Sequence, residues 1–178
     1  MAYTLHALIA RCELLANPPS WSPGSAVIAL PQGFCMLPLS GAVCDRFGPA
    51  DQPWLFEPYS IFTHLPEDLV PDLLELSRGG RLAYVEAEYF GGVGEQRGMG
   101  WDRGAVVREP EESSGAINSA LSWLGVERAA GSDWFDTLGL GRHRSVDDWL
   151  ADTAPPPAPA DPAPPPAPRA SPWWRFWR

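Results

Sequence analysis

The sequence predicts an α+β domain, an antiparallel sheet with a central meander over about 81–108 packed by short C-terminal helices. A proline-rich tail follows it. Three observations predict this. Runs suited to strands come early and in the middle of the chain, and segments with helical spacing and caps come late. From Ala154 the composition turns abruptly to proline and alanine, too poor in apolar surface to pack.

Residues 3–10 alternate as a strand entering a core, with Tyr3, Leu5, Ala7 and Ile9 on one face. A proline–glycine loop leads to the apolar run Ala26–Leu30, and Gln32-Gly33 turns into a strand over Phe34–Leu39. A short helix follows, with Ser40 as N-cap and Gly48 past its end. Trp54–Phe56 and Tyr59–Phe62 are aromatic runs of unassigned class. Residues 67–78 read as a helix starting near 68–70, because Pro71 is tolerated only in a first turn.

The clearest strand is RLAYVEAEYF at 81–90. Gly91-Gly92 breaks it, Glu95–Trp101 returns antiparallel, and Asp102-Arg103-Gly104 turns into Ala105–Arg108. Ile117, Ala120, Leu121 and Leu124 then mark a helix capped by Ser113 or Ser114 and ended by Gly125. Ser132 opens a short helix through Leu138, and Ser145 with Asp148 resembles a capping box for the last one.

The organisation that results is an acidic body at 1–153, a Pro/Ala-rich linker at 154–172 and a terminal peptide at 173–178. The chain has 178 residues, 21 of them proline, and a formal net charge of -9. All 13 basic residues are arginine. The tail holds Asp161 with Arg169, Arg175 and Arg178, which leaves the tail at +2 and the body at -11. A body so acidic repels polyanions, which argues against nucleic acid as a partner. The 19-residue linker at ~3.1 Å per residue reaches ~60 Å as polyproline II.

No signal peptide is evident, since the N-terminal apolar run lacks a basic lead and Arg11 and Glu13 interrupt it. The uncharged stretch 14–44 is long enough to cross a bilayer, but Pro18, Pro19, Pro23, Pro31 and Pro38 break it into strand and turn. Cys12, Cys35 and Cys44 form neither a zinc pattern nor a disulfide framework, so buried thiols and a cytoplasmic location are expected. Attachment at the inner membrane face is a further option through the tail.

Trp173, Trp174, Arg175, Phe176, Trp177 and Arg178 are the most informative residues. Large aromatics beside arginine suit a boundary between apolar and wet surfaces, either an anionic membrane or a groove on a partner protein; the plainer alternative is a terminus that folds back onto its own domain, which the intervening proline arm disfavours. In the body, Tyr84, Glu86 and Glu88 share a strand face, the two carboxylates roughly 7 Å apart. Such a pair can do acid–base or metal work, although a solvated strand face is the plainer reading. The glycines at 91, 92, 94, 98 and 100 lack a following helix to bind phosphate and read as a bulged hairpin. Cys35 or Cys44 could meet His64, but no nucleophile signature accompanies them. Trp101, Trp123, Trp134 and Trp149 read as core or rim aromatics.

The stretches AYVEAEYFGGVGEQ, GMGWDRG, GAINSALSWLGV and FDTLGLGRHRSVDDWL resemble a group of small uncharacterised bacterial proteins, mainly actinobacterial. That group is similar to immunity-type proteins of toxin systems. The resemblance spans roughly 1–150 and implies a small cytosolic binding protein; no catalytic residues are carried over from it, and no cofactor is expected. Tyr84, Glu86, Glu88, Gly91, Gly92 and Gln96 then make up the candidate body site.

The expected function is a non-enzymatic interaction protein whose acidic body binds a protein partner, a basic one above all. Its Pro-rich arm delivers the Trp/Arg peptide to a second surface. The alternatives are a peripheral membrane adaptor anchored by WWRFWR and a small hydrolase using Glu86 and Glu88.

Overall fold

The computed structural model describes residues 2–16, 19, 21, 26–47 and 57–153. The tail, Gly48 and Trp54–Phe56 lie outside the described residues. The strands are β1 (Ala2–Arg11), β2 (Ile28–Ala29), β3 (Phe34–Pro38), β4 (Leu82–Phe90), β5 (Val93–Asp102) and β6 (Ala105–Glu112). They form one antiparallel sheet in the order β2-β3-β1-β4-β5-β6. The helices are α1 (Cys12–Leu15), α2 (Gly41–Arg46), α3 (Val70–Leu76), α4 (Ala116–Leu124), α5 (Trp134–Thr137) and α6 (Val146–Ala151). The predicted α+β class and its three-stranded meander are both present, and β1 is an interior strand.

The period-2 pattern of β1 serves two cores because the sheet is covered on both faces. Leu5, Ala7 and Ile9 pack with Val85 and Ala87 beneath α4 and Trp149 of α6. Leu8 and Ala10 pack with Leu82, Tyr84, Met99 and Trp101 beneath α2 and α3. The four tryptophans fall as expected, with Trp101 and Trp149 buried and Trp123 and Trp134 at the rim of the first core.

Both meander turns are two-residue hairpins with left-handed backbone, at Gly91-Gly92 (φ 63° and 88°) and Arg103-Gly104 (φ 52° and 79°). The glycines inside β5 serve close packing. A Cβ on Gly100 would lie 2.5 Å from the Trp123 ring, and one on Gly98 would lie 3.0 Å from the Ala116 carbonyl. The β5–β6 ladder also shifts register at Gly98–Trp101, the expected bulge.

Several boundaries moved. The 67–78 helix is α3 flanked by 3-10 turns at 67–69 and 77–79, with Pro71 in its first turn. Gly115 rather than serine sits at the N-cap of α4, and Asp133 rather than Ser132 caps α5 by accepting from the Asp136 amide. Ser40 precedes α2, but its buried hydroxyl has no partner. Ser145 caps α6 as expected, accepting from the Asp148 amide at 3.1 Å.

The cysteine expectation is corrected. Ala10 lies opposite Cys35 in the β1–β3 ladder, so Cys12 follows just beyond the paired residues, and Cys12 and Cys35 are joined as a disulfide. Cys44 is the free thiol and is buried. Cysteine content therefore no longer speaks for a reducing compartment. No helix among the described residues is long and apolar enough to cross a membrane.

Thiol titration of the unreduced, denatured chain should find a single reactive cysteine. Replacing Cys12 and Cys35 by serine should lower stability by about 3 kcal/mol in chemical denaturation, the value expected for a loop of this size. Three reactive thiols would contradict the bridge.

Candidate functional site

Antiparallel register lines side chains up in rows across the sheet, and on the face shared with α2 and α3 three successive rows change character. In the innermost of these, His6, Glu86, Arg97 and Glu112 stand opposite one another on β1, β4, β5 and β6. In the next, Thr4, Glu88 and Glu95 are in register. In the outermost, Ala2, Phe90 and Val93 are.

Glu86 corrects the solvated-face reading, since it is 0% exposed. The segment that follows the 3-10 turn Tyr59–Ile61 lies over it. The Thr63 amide donates to both carboxylate oxygens at 3.1 and 3.3 Å, and the His64 amide donates to Oε2 at 3.1 Å. The Tyr84 hydroxyl donates to Oε2 at 2.9 Å, and Arg97 donates to Oε1 at 3.0 Å. A buried carboxylate is tolerated when its oxygens are this fully supplied. It also has little capacity left to act on a substrate.

Arg97 gathers the surrounding carboxylates, bonding Glu95 and Glu112 as well as Glu86. Burial alone would lower its pKa, but the Glu112 hydrogen bond and the Glu86 charge more than offset this and raise it. Burial, then the Glu86 charge, pushes the Tyr84 phenol well above its ordinary value.

Beside this cluster the rings of His6 and His64 stack with centroids 4.6 Å apart. Burial, then the neighbouring His64, lowers the His6 pKa to about 4. Cys44 contacts the His64 backbone carbonyl, 3.9 Å from its sulfur, and burial pushes its thiol pKa up. Of the thiol–imidazole pairings considered from the sequence, the disulfide removes Cys35, and Cys44 contacts the His64 carbonyl.

The predicted body residues do not converge. Tyr84 and Glu86 are buried and Glu88 is exposed. Gly91 and Gly92 form the hairpin tip. Gln96 faces the other side, where its side-chain oxygen accepts from the Ile117 amide of α4 at 3.4 Å. Glu88 instead joins Val93, Gly94, Glu95 and Arg97 in a shallow groove of about 210 Å³. Phe90 and Val93 beside it are each 81% exposed, although sequence reasoning singled out neither. The hint was a β-hairpin tip flanked by two large apolar residues. Among the described residues, no group of three or more His, Cys, Asp or Glu is placed to hold a metal.

This end of the sheet carries Glu88, Glu95, Glu111 and Glu112, while at the other end Arg11 and Arg103 stand with Arg81, which pairs with Asp102, and Arg78, which pairs with Glu75. The groove is acidic with an apolar lip, and its chemistry suits a cationic, partly apolar surface.

Because the folded His6 pKa lies below that of a free imidazole, the unfolded chain binds more protons between about pH 6.5 and 4. Stability should therefore be full above that window and fall by up to about 3 kcal/mol as pH drops through it. His6→Phe, which keeps a ring against His64, should flatten the His6 part of that decline in denaturation at several pH values. Glu86→Gln should cost about 3–5 kcal/mol by leaving Arg97 without its buried partner. Tyr84→Phe should cost about 2 kcal/mol, since the hydrogen bond it removes goes to a buried charge. A Glu86→Gln chain as stable as the parent would refute the structural role given to this carboxylate. Compared with models of known protein families, with curated proteins and with solved structures, the chain finds no match.

Proposed function

We propose that this chain is a non-enzymatic protein-interaction module, as the immunity-protein resemblance suggests, and that it docks a basic partner on the acidic groove at the open end of the sheet. The observation that carries this is the sequence of rows on one face. The charge-neutralised Glu86–Arg97 pair is followed by Glu88 opposite Glu95, whose carboxylate shares the Arg97 guanidinium with Glu86 and Glu112, and then by the bare Phe90–Val93 pair. Like charges directly opposite one another destabilise a sheet, and exposed large apolar residues are costly, so both features suit a surface completed by binding.

The hydrolase alternative draws less support. Its two glutamates are in different environments, one sealed beneath Thr63 and His64 and the other in solvent. A retained acid–base pair would need both to reach one substrate. The membrane-adaptor alternative rests on the tail alone, which lies outside the described residues.

The test is photo-crosslinking in cell extract with a benzophenone amino acid at position 93, and at Arg103 on the opposite end as the control. A discrete protein adduct should form at 93 alone. Glu88→Arg with Glu95→Arg, or about 0.5 M salt, should weaken it about tenfold or more, because exposed charges are screened over a few Å. An adduct at 103 alone, or one indifferent to salt and charge reversal, would sink the proposal.

A further inference from the structure

The groove wants a short ligand with positive charge and large apolar side chains. The sequence contains such a segment in Trp173–Arg178, four aromatics interleaved with Arg175 and Arg178. We propose that in the unbound protein this hexapeptide occupies the Glu88–Val93–Glu95 groove of its own chain and is displaced when the partner binds. The inference rests on the reading of that groove as a docking surface and names its resting occupant.

Charge is the first argument. Glu86, Glu88, Glu95 and Glu112 surround Arg97, so this corner of the sheet is left strongly negative. Of the body, the linker and the terminal peptide, only the terminal peptide carries a net positive side-chain charge. Arginine suits carboxylates, and its planar fork can pair with Glu88 and Glu95 while indole rings cover Phe90 and Val93. The apolar lip matters because two arginines on exposed carboxylates bind weakly alone.

Position is the second argument. The Thr4 amide of β1 donates to the Arg144 carbonyl at 2.9 Å, so α6 begins beside the row that contains Glu88. The helix is one and a half turns long, and Asp152 at its end contacts His143 before its start, at 3.2 Å. The chain thus leaves the body near the acidic end of the sheet. The 19-residue linker spans up to ~60 Å, whereas a domain of this size is only ~40 Å across. Reach is therefore sufficient even with a bend.

Tethering makes a weak contact effective. With an effective concentration of about 1 mM, a peptide whose free Kd is about 50 μM would hold its own groove most of the time. It would then lower the apparent affinity for added peptide about twentyfold.

The experiment uses a dye-labelled WWRFWR peptide and fluorescence anisotropy. Three full-length chains are compared: the parent, a tail variant with Trp173, Trp174, Phe176 and Trp177 changed to serine, and that variant also carrying Glu88→Gln and Glu95→Gln. Circular dichroism checks that all three are folded. The tail variant should bind the peptide, the parent about tenfold or more weaker, and the glutamine-bearing variant about tenfold weaker than the tail variant. Absence of binding to the folded tail variant would overturn the proposal. So would equal binding to parent and tail variant, or binding that ignores Glu88 and Glu95. The two readings fail separately. If the peptide does not bind but the position-93 adduct persists, the docking surface stands without its resting occupant. If the peptide binds but no adduct forms, the basic-partner reading falls.

Discussion

A carboxylate shut away from water needs a donor for each of its lone pairs, and at Glu86 those donors come from three separate parts of the chain. Tyr84 supplies one from the same strand, Arg97 one from the next strand, and the Thr63 and His64 backbone the rest. Residues around 63–64 are therefore held over the sheet by charge-assisted hydrogen bonds as well as by Phe62 and Leu65 in the core. That placement brings His64 onto His6 and seals the middle of the face, so the sheet is covered up to the Glu86 row. Beyond it, Glu88, Glu95, Phe90 and Val93 are left to solvent. The buried charge thus sets where the body stops being core and becomes surface.

Net charge conceals how that surface is arranged. A body at -11 suggests uniform acidity, yet carboxylates crowd one end of the sheet, while at the other end Arg78 and Arg81 are paired with Glu75 and Asp102. The turn Arg103-Gly104 and the strand ends at Arg11 and Arg81 fall together, as do Glu88, Glu95 and Glu112. Arg97 tempers the acidic end without cancelling it, because its guanidinium is shared among three carboxylates.

The meander was legible because its signals are local. Alternation marks β4, glycine pairs mark the turns, and Ile117, Ala120, Leu121 and Leu124 mark α4. Capping residues were harder: Asp133 offers the chemistry expected of Ser132 one position on, and Gly115 takes the N-cap just after Ser113 and Ser114. The site was least legible. Whether Glu86 is wet depends on residues 63–64, more than twenty positions away, and no period in β4 encodes that cover. The same holds for Cys12 and Cys35, whose pairing follows from β1 lying beside β3. An odd cysteine count leaves it open. Phe90 looked like an ordinary strand end and Val93 fell between the turn and the strand expected from Glu95; the exposure of both is set by what stops short of them.

The interior position of β1 also bears on how the chain assembles. Its pairing with β3 joins residues close in sequence, whereas its pairing with β4 joins residues about eighty positions apart. Sheets that depend on such distant partners are slow to form, since loop closure precedes the reward. As the chain emerges from the ribosome, β1 and β3 can meet early. The acidic end of the sheet comes into existence only once the hairpin of β4 and β5 arrives. The acidic groove is thus among the later features of the body to be built, and a chain interrupted before residue 97 would present neither the groove nor the guanidinium that holds its carboxylates together.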